Sequence, residues 1–169
     1  MFGLDRNRCS ETRGIHTDRE SDVVEFKQQV PSDEAGKAKV MKTVCAFANG
    51  QGGSVLFGID DDGVVIGVAA DAVDRLKDQL TQTVGSWVEP RPRIDFATLP
   101  LDAEDRVVLE LRVEAGSGLY GCHARLGDVP AAYIRHHAIT VRARPGEIES
   151  IVRARTPSIA SPHAWGSFV

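Results

Sequence analysis

A chain of 169 residues, 42% apolar and 26% charged, has the length and composition of one globular domain that needs no disulfide staples. Its net charge of −4 argues against binding nucleic acid by bulk electrostatics alone. No apolar run approaches the ~20 residues of a membrane span, the N-terminus carries no hydrophobic signal segment, and Cys9, Cys45 and Cys122 are spaced too irregularly for a disulfide framework. The expected location is the cytoplasm.

Residues 1–17 read as a flexible polar arm, 18–155 as the folded domain and 156–169 as a loose Ser/Pro-rich tail. Val23, Val24 and Phe26 predict a first strand over 22–28, stopped by Pro31. Residues two apart on a strand share a face, so Glu25 and Lys27 point one way and Phe26 the other. Ser32 or Asp33 is placed to cap a helix over 34–48, whose Val40, Met41, Val44, Phe47 and Ala48 make one apolar stripe. Cys45 lies near that stripe and reads as a buried, inert thiol, and Asn49-Gly50 ends the helix with residues that tolerate positive φ. The continuous apolar run 55–59 predicts a strand covered on both faces. Asp62-Gly63 is a hairpin signal leading into a strand over 64–68.

Asp71 is expected to cap a second helix through Ser86, with Val73, Leu76, Leu80 and Val84 inward. Pro90 and Pro92 precede a short strand at 94–99. The alternation of Val107, Leu109, Leu111 and Val113 with Val108, Glu110 and Arg112 predicts a half-buried strand. Residues 115–130 read as a long loop with no core of their own. A hairpin is expected over 132–142 around His136-His137, and Pro145 opens a final short helix. Strands that do not alternate regularly with helices predict an α+β fold: a mixed β-sheet flanked by helices in a single lobe.

Three carboxylates and an amine stand out: Glu20, Glu25, Asp60 and Lys27. Hard divalent cations such as Mg²⁺ or Mn²⁺ take oxygen ligands, and a nuclease uses such an ion to polarise phosphate and activate water. A lysine beside it can stabilise charge developing on phosphorus. Glu25-Phe26-Lys27 offers that pairing on one strand face, and Asp60 completes the cluster if the two strands lie side by side. The competing reading is a surface Glu–Lys ion pair and a plain acidic turn. Asp60-Asp61-Asp62-Gly63 lacks the twelfth-position glutamate of a calcium loop, with Asp71 there instead. Gly50-Gln51-Gly52-Gly53 leads from a helix into a strand, the reverse of a phosphate-binding loop. Zinc on Cys122-His123 and His136-His137 is disfavoured, because neighbours on extended backbone point to opposite faces. Six arginines fall between 125 and 155 against Asp128, Glu147 and Glu149. They predict either a local basic strip centred on Arg135, Arg142 and Arg144, or a solvated mixed-charge face.

Glu20-Ser-x-x-x-Glu25-Phe-Lys27, Ala46-Phe-Ala-Asn49-x-x-Gly52-Gly53, Phe57-Gly-Ile-Asp60-Asp, Gly67-Val and Ala132-Tyr-Ile-Arg135 with Thr140 and Glu147-Ile148 together resemble the Schlafen/AlbA-type domain. That resemblance implies an α+β lobe that acts on nucleic acid. It implies a site of two glutamates and one aspartate, matched here by Glu20, Glu25 and Asp60 as catalytic and metal-binding groups. Two functions compete: a metal-dependent endoribonuclease acting on tRNA or other structured RNA, and a non-catalytic nucleic-acid-binding module, on RNA or DNA. Animal Schlafens pair two such lobes around a groove. This chain has one, and a homodimer is the expected way to supply the second.

Overall fold

The computed structural model describes residues 20–101, 105–125 and 127–156; the arm at 1–17 and the tail beyond Thr156 lie outside them. Strand β1 (Val24–Lys27), helix α1 (Glu34–Asn49) and strand β2 (Gly53–Phe57) form one strand–helix–strand unit. Asp33 caps α1, its carboxylate accepting from the Gly36 N–H at 2.8 Å, which meets one of the helix's unpaired N-terminal donors. The crossover returns the chain parallel to its start, so β1 pairs with β2 in the register Glu25↔Val55 and Lys27↔Phe57.

The remaining elements are β3 (Val68–Ala69), α2 (Val73–Trp87), β4 (Val88–Glu89), β5 (Ile94–Pro100), β6 (Arg106–Val113), β7 (Gly121–Cys122), β8 (Tyr133–His136), β9 (Ile139–Arg142) and α3 (Pro145–Arg155). β6 is the central strand. β5 runs antiparallel along one of its edges, from Ile94↔Val113 to Pro100↔Val107, so β2 and then β3 follow each other along the opposite edge. The result is a mixed five-stranded sheet with two separate ribbons, β4–β7 and β8–β9. The fold is α+β, as the irregular alternation of strands and helices predicts.

Alternation along the strands divides the core. Val55, Phe57, Leu109, Leu111 and Val113 face α1 and α2 and pack with Val44, Phe47, Leu80, Val84 and Trp87. Phe26, Leu56, Ile59 and Val108 form a smaller cluster on the opposite face. Cys45 and Cys122 belong to the larger cluster, and burial pushes both thiols up to about 12. Cys45 is the inert thiol its position in the stripe implies.

Four expectations change. The segment after Asp62-Gly63 is not a continuous strand: Val65 makes one bridge to Ile59, and only Val68–Ala69 joins the sheet. Gly58 and Gly67, at φ 98° and 68°, turn the chain out and back. They come so close that a Cβ on Gly58 would lie 2.7 Å from the Gly67 Cα, and side chains resist such φ values. Asp71 does not cap α2: it sits in a 3-10 turn, Ala70–Ala72, and the helix starts at Val73 with no side-chain cap. The 115–130 loop contains β7, paired with β4.

The fourth change concerns Asn49. The helix does end at Asn49-Gly50, as expected, but positive φ falls to Gly52, at 85°. Asn49 is the last residue of α1 and is buried. Its Nδ2 donates to the Tyr120 and Tyr133 carbonyls, both at 2.9 Å, and its Oδ1 accepts from the Tyr120 N–H at 2.8 Å. Asn49→Ala leaves the Tyr133 carbonyl and the Tyr120 N–H without this partner and the Tyr120 carbonyl with only the Cys45 thiol, and is expected to lower unfolding free energy by roughly 3 kcal/mol. Urea denaturation of the variant checks this, and a loss under about 0.5 kcal/mol, the range of an ordinary surface substitution, rules it out.

Candidate functional site

β1 is an edge strand. Its outward N–H and C=O groups need partners other than a neighbouring strand. The chain before it folds back, so that Glu20 Oε1 accepts from the Phe26 N–H at 3.0 Å and the Ser21 N–H reaches the Val24 carbonyl at 2.9 Å. The Lys27 ammonium donates to the Phe26 carbonyl at 2.7 Å and also to Glu25 Oε1. Glu25 and Lys27 thus share a face, as the strand period requires, and Phe26 enters the opposite core cluster.

Glu25 has a second cation that its sequence neighbourhood does not reveal. Arg135, on β8, donates from Nη2 to Glu25 Oε2 at 2.6 Å and to the Val24 carbonyl at 3.1 Å. Its Nε reaches the Ser21 carbonyl at 2.7 Å and its Nη1 the Thr140 hydroxyl at 3.2 Å. The guanidinium also lies 5.4 Å from the centroid of the Phe47 ring. Its side chain is 3% exposed, and that of Glu25 11%. Arg135 was expected at the centre of a phosphate-facing strip; it is enclosed, because β8 packs on α1 and turns this residue toward β1.

Asp60 lies beyond the end of β2, as expected, and the parallel pairing brings its loop beside the end of β1. An open cleft of about 420 Å³ is lined by Lys27, Gln28, Gln29 and Asp60 to Asp62. Asp60 Oδ1 accepts from the N–H groups of Asp62 (3.0 Å) and Val64 (2.8 Å), which makes it the organiser of its own turn.

The expected metal ligands Glu20, Glu25 and Asp60 are therefore near one strand end but do not converge. Glu20 binds a backbone N–H on the edge, Asp60 binds its own turn, and both oxygens of Glu25 are held by cations. Among the described residues, no three His, Cys, Asp or Glu side chains are grouped to hold a metal ion. A Mg²⁺ or Mn²⁺ ion needs several oxygens around one point, and the donor set as it stands does not fit one.

The other two arginines of the strip are exposed, on either side of buried Ala143. Arg142 is the cross-strand partner of Tyr133, and Lys42, on α1, places its ammonium 5.4 Å from the centroid of the Tyr133 ring. Burial raises the Tyr133 hydroxyl above its ordinary range, so the phenol stays neutral. Arg142 also borders a cleft of about 880 Å³ with Tyr120, Pro130 and Ile148. Arg144 borders another, of about 620 Å³, with His136 and Glu147. Of the remaining arginines, Arg153 pairs with Glu149, and Arg155 donates to the Gly118 and Gly50 carbonyls. Lys42 does not stand out in the sequence, and Asn49 stands out there only within the family motif and as a helix end. The aromatic–cation pairing of Lys42 with Tyr133 spans elements far apart in the chain, and the buried amide looked like a helix terminator.

No helix among the described residues is long and apolar enough to cross a membrane. The crystal structure of the DIP2311 protein from Corynebacterium diphtheriae is similar to this one, with a TM-score of 0.54 and 19% identity over 79% of this chain and 27% of that one. The likeness is one of fold, and this chain spans about a quarter of the length of that protein. The family model described as "Schlafen, AlbA_2" matches residues 20–144, from the carboxylate that folds back on β1 to the second exposed arginine of the strip. With the strand–helix–strand unit, the Asn49 clamp and the β8–β9 ribbon all inside that match, the chain belongs to the Schlafen AlbA_2 family.

Proposed function

We propose that this chain is a nucleic-acid-binding module that contacts the phosphate backbone through Lys42, Arg142 and Arg144. The observation that carries this is the grouping around Tyr133: Lys42 over its ring and Arg142 opposite it on β9, with exposed Arg144 two residues further on. A cation held against an aromatic face, as Lys42 is, keeps a defined position, which suits it to a regularly spaced polyanion. Family membership supports association with nucleic acid.

Replacing Lys42, Arg142 and Arg144 together with alanine should weaken RNA and DNA binding alike. It should also flatten the dependence of log K on log salt by about 0.7–0.9 for each phosphate that the variant no longer neutralises. Fluorescence anisotropy across a salt series measures both. An unchanged slope would mean that these side chains are a solvated face.

A second reading, an endoribonuclease acting on tRNA or other structured RNA, is favoured by one observation: Lys27 and Asp60 border the same open cleft. Under that reading bulk tRNA is cut in the presence of Mn²⁺, and Glu25→Gln, Asp60→Asn and Lys27→Met each slow cleavage by about 100-fold or more, the scale of removing one electrostatic interaction with a transition state. Intact tRNA after prolonged incubation with the wild-type chain leaves the binding module alone.

A homodimer is part of the same proposal, since two copies related by a two-fold axis would give the basic surface a facing wall. Light scattering at tens of micromolar (roughly, where a modest interface is populated) should then report twice the 18.3 kDa chain mass. A purely monomeric sample rejects the pairing.

A further inference from the structure

Glu25 is the residue that a metal site would need most, and it is the residue least open to one. Two cations, Lys27 and Arg135, face its one carboxylate. Lys27 holds one oxygen of that carboxylate and Arg135 the other, so neither is free to ligate a divalent cation. The guanidinium is fixed on every side: Glu25 and the Val24 carbonyl on β1, the Ser21 carbonyl before it, Thr140 on β9 and the Phe47 ring on α1. Thr140 in turn meets the Thr43 hydroxyl of α1 at 3.2 Å. A planar fork with five N–H donors can serve these acceptors at once, whereas a lysine cannot.

We infer that Arg135 is the resident counter-ion of Glu25, standing where a divalent ion would otherwise be held, and that it is a positioning residue latching the β8–β9 ribbon to the edge of β1. The sequence pattern that elsewhere suggests a carboxylate metal site is closed here from within the chain. Removing the guanidinium has two distinct consequences. The ribbon loses its tie to β1, and the Glu25 carboxylate, next to Glu20 on the same strand edge, becomes available to a cation. A merely structural contact would produce the first effect and not the second. The inference is independent of nucleic-acid binding and goes beyond it.

The test uses the full chain, with Mn²⁺ alone as the probe, followed by the resonance of the free ion, and with hydrogen exchange of the ribbon amides. Wild type and Glu25→Gln should bind Mn²⁺ with the same affinity, any shared binding being due to the acidic 60–62 turn. Arg135→Met should bind Mn²⁺ about tenfold more tightly, and the gain should vanish in the Glu25→Gln/Arg135→Met double variant. Arg135→Lys, which keeps the charge, should show no gain. Amides of residues 133–142 should exchange faster in Arg135→Met and to an intermediate degree in Arg135→Lys. Wild type binding Mn²⁺ about tenfold more tightly than Glu25→Gln would overturn the inference, as would Arg135→Met with no gain or with wild-type exchange. If Arg135→Met does not fold, the comparison of wild type with Glu25→Gln decides alone.

Discussion

Asn49 is a side-chain amide closed off from water at the last turn of α1, and both the segment at Tyr120 and strand β8 hang on it. In the low dielectric of a core such a group is stabilising only when its donors and acceptor are all engaged, and here they are. The hydrogen bonds join positions 71 and 84 residues apart, so one amide fixes where two long excursions of the chain return. Arg135 lies two residues beyond Tyr133 and faces the same side of the ribbon. The clamp therefore delivers the guanidinium to Glu25. The order of dependence runs from α1 to β8 and from β8 to the edge of β1.

That edge explains why carboxylates and a lysine gather there. Of the outward groups of β1, the Phe26 N–H is met by Glu20, the Val24 carbonyl by Ser21 and Arg135, and the Phe26 carbonyl by Lys27. An edge left open would invite another strand to add to the sheet. Polar groups that bend back along the strand, together with Arg135 from β8, prevent it without another strand being added. The same residues that read as two acids and a base are those which a short, exposed-edge strand requires. Spacing alone does not separate the two uses. The separation comes from what the second oxygen of Glu25 meets.

Much of the fold was legible because it follows from local periodicity. The stripe of Val40, Met41, Val44 and Phe47, the cap at Asp33, the alternation in β6 and the helix start at Pro145 each express a rule that acts within a few residues. The elements that were hidden are set by distant partners. β4 and β7 have two residues each and exist through each other. The start of α2 is governed by the 3-10 turn that follows β3, not by a capping side chain. The turn between Gly58 and Gly67 interrupts what hydrophobicity alone would continue as a strand. At the site, the shared face of Glu25 and Lys27 was readable from the strand period, whereas Arg135 reaches Glu25 across 110 residues. No local pattern announces that pairing.

The fate of the arginine strip has a consequence for how the protein meets a polyanion. Within one ribbon, Arg135 and Arg142 lie on the same face, but Arg135 is near its middle, over Phe47, and Arg142 is at its end, beside Tyr133. Position along the ribbon, not charge, decides which is enclosed. With Arg135 bound to Glu25, Arg153 to Glu149 and Arg155 to backbone carbonyls, the cationic surface is far smaller than the number of arginines suggests. On a chain of net charge −4, a few exposed cations cannot steer nucleic acid from a distance, since screening at physiological salt limits their reach to about 8 Å. Under the proposed binding mode, attraction begins only when the phosphates are almost touching Lys42 and Arg142. In that mode, recognition depends on the fit between the backbone and the placement of those cations, Lys42 over the Tyr133 ring and Arg142 on the ribbon.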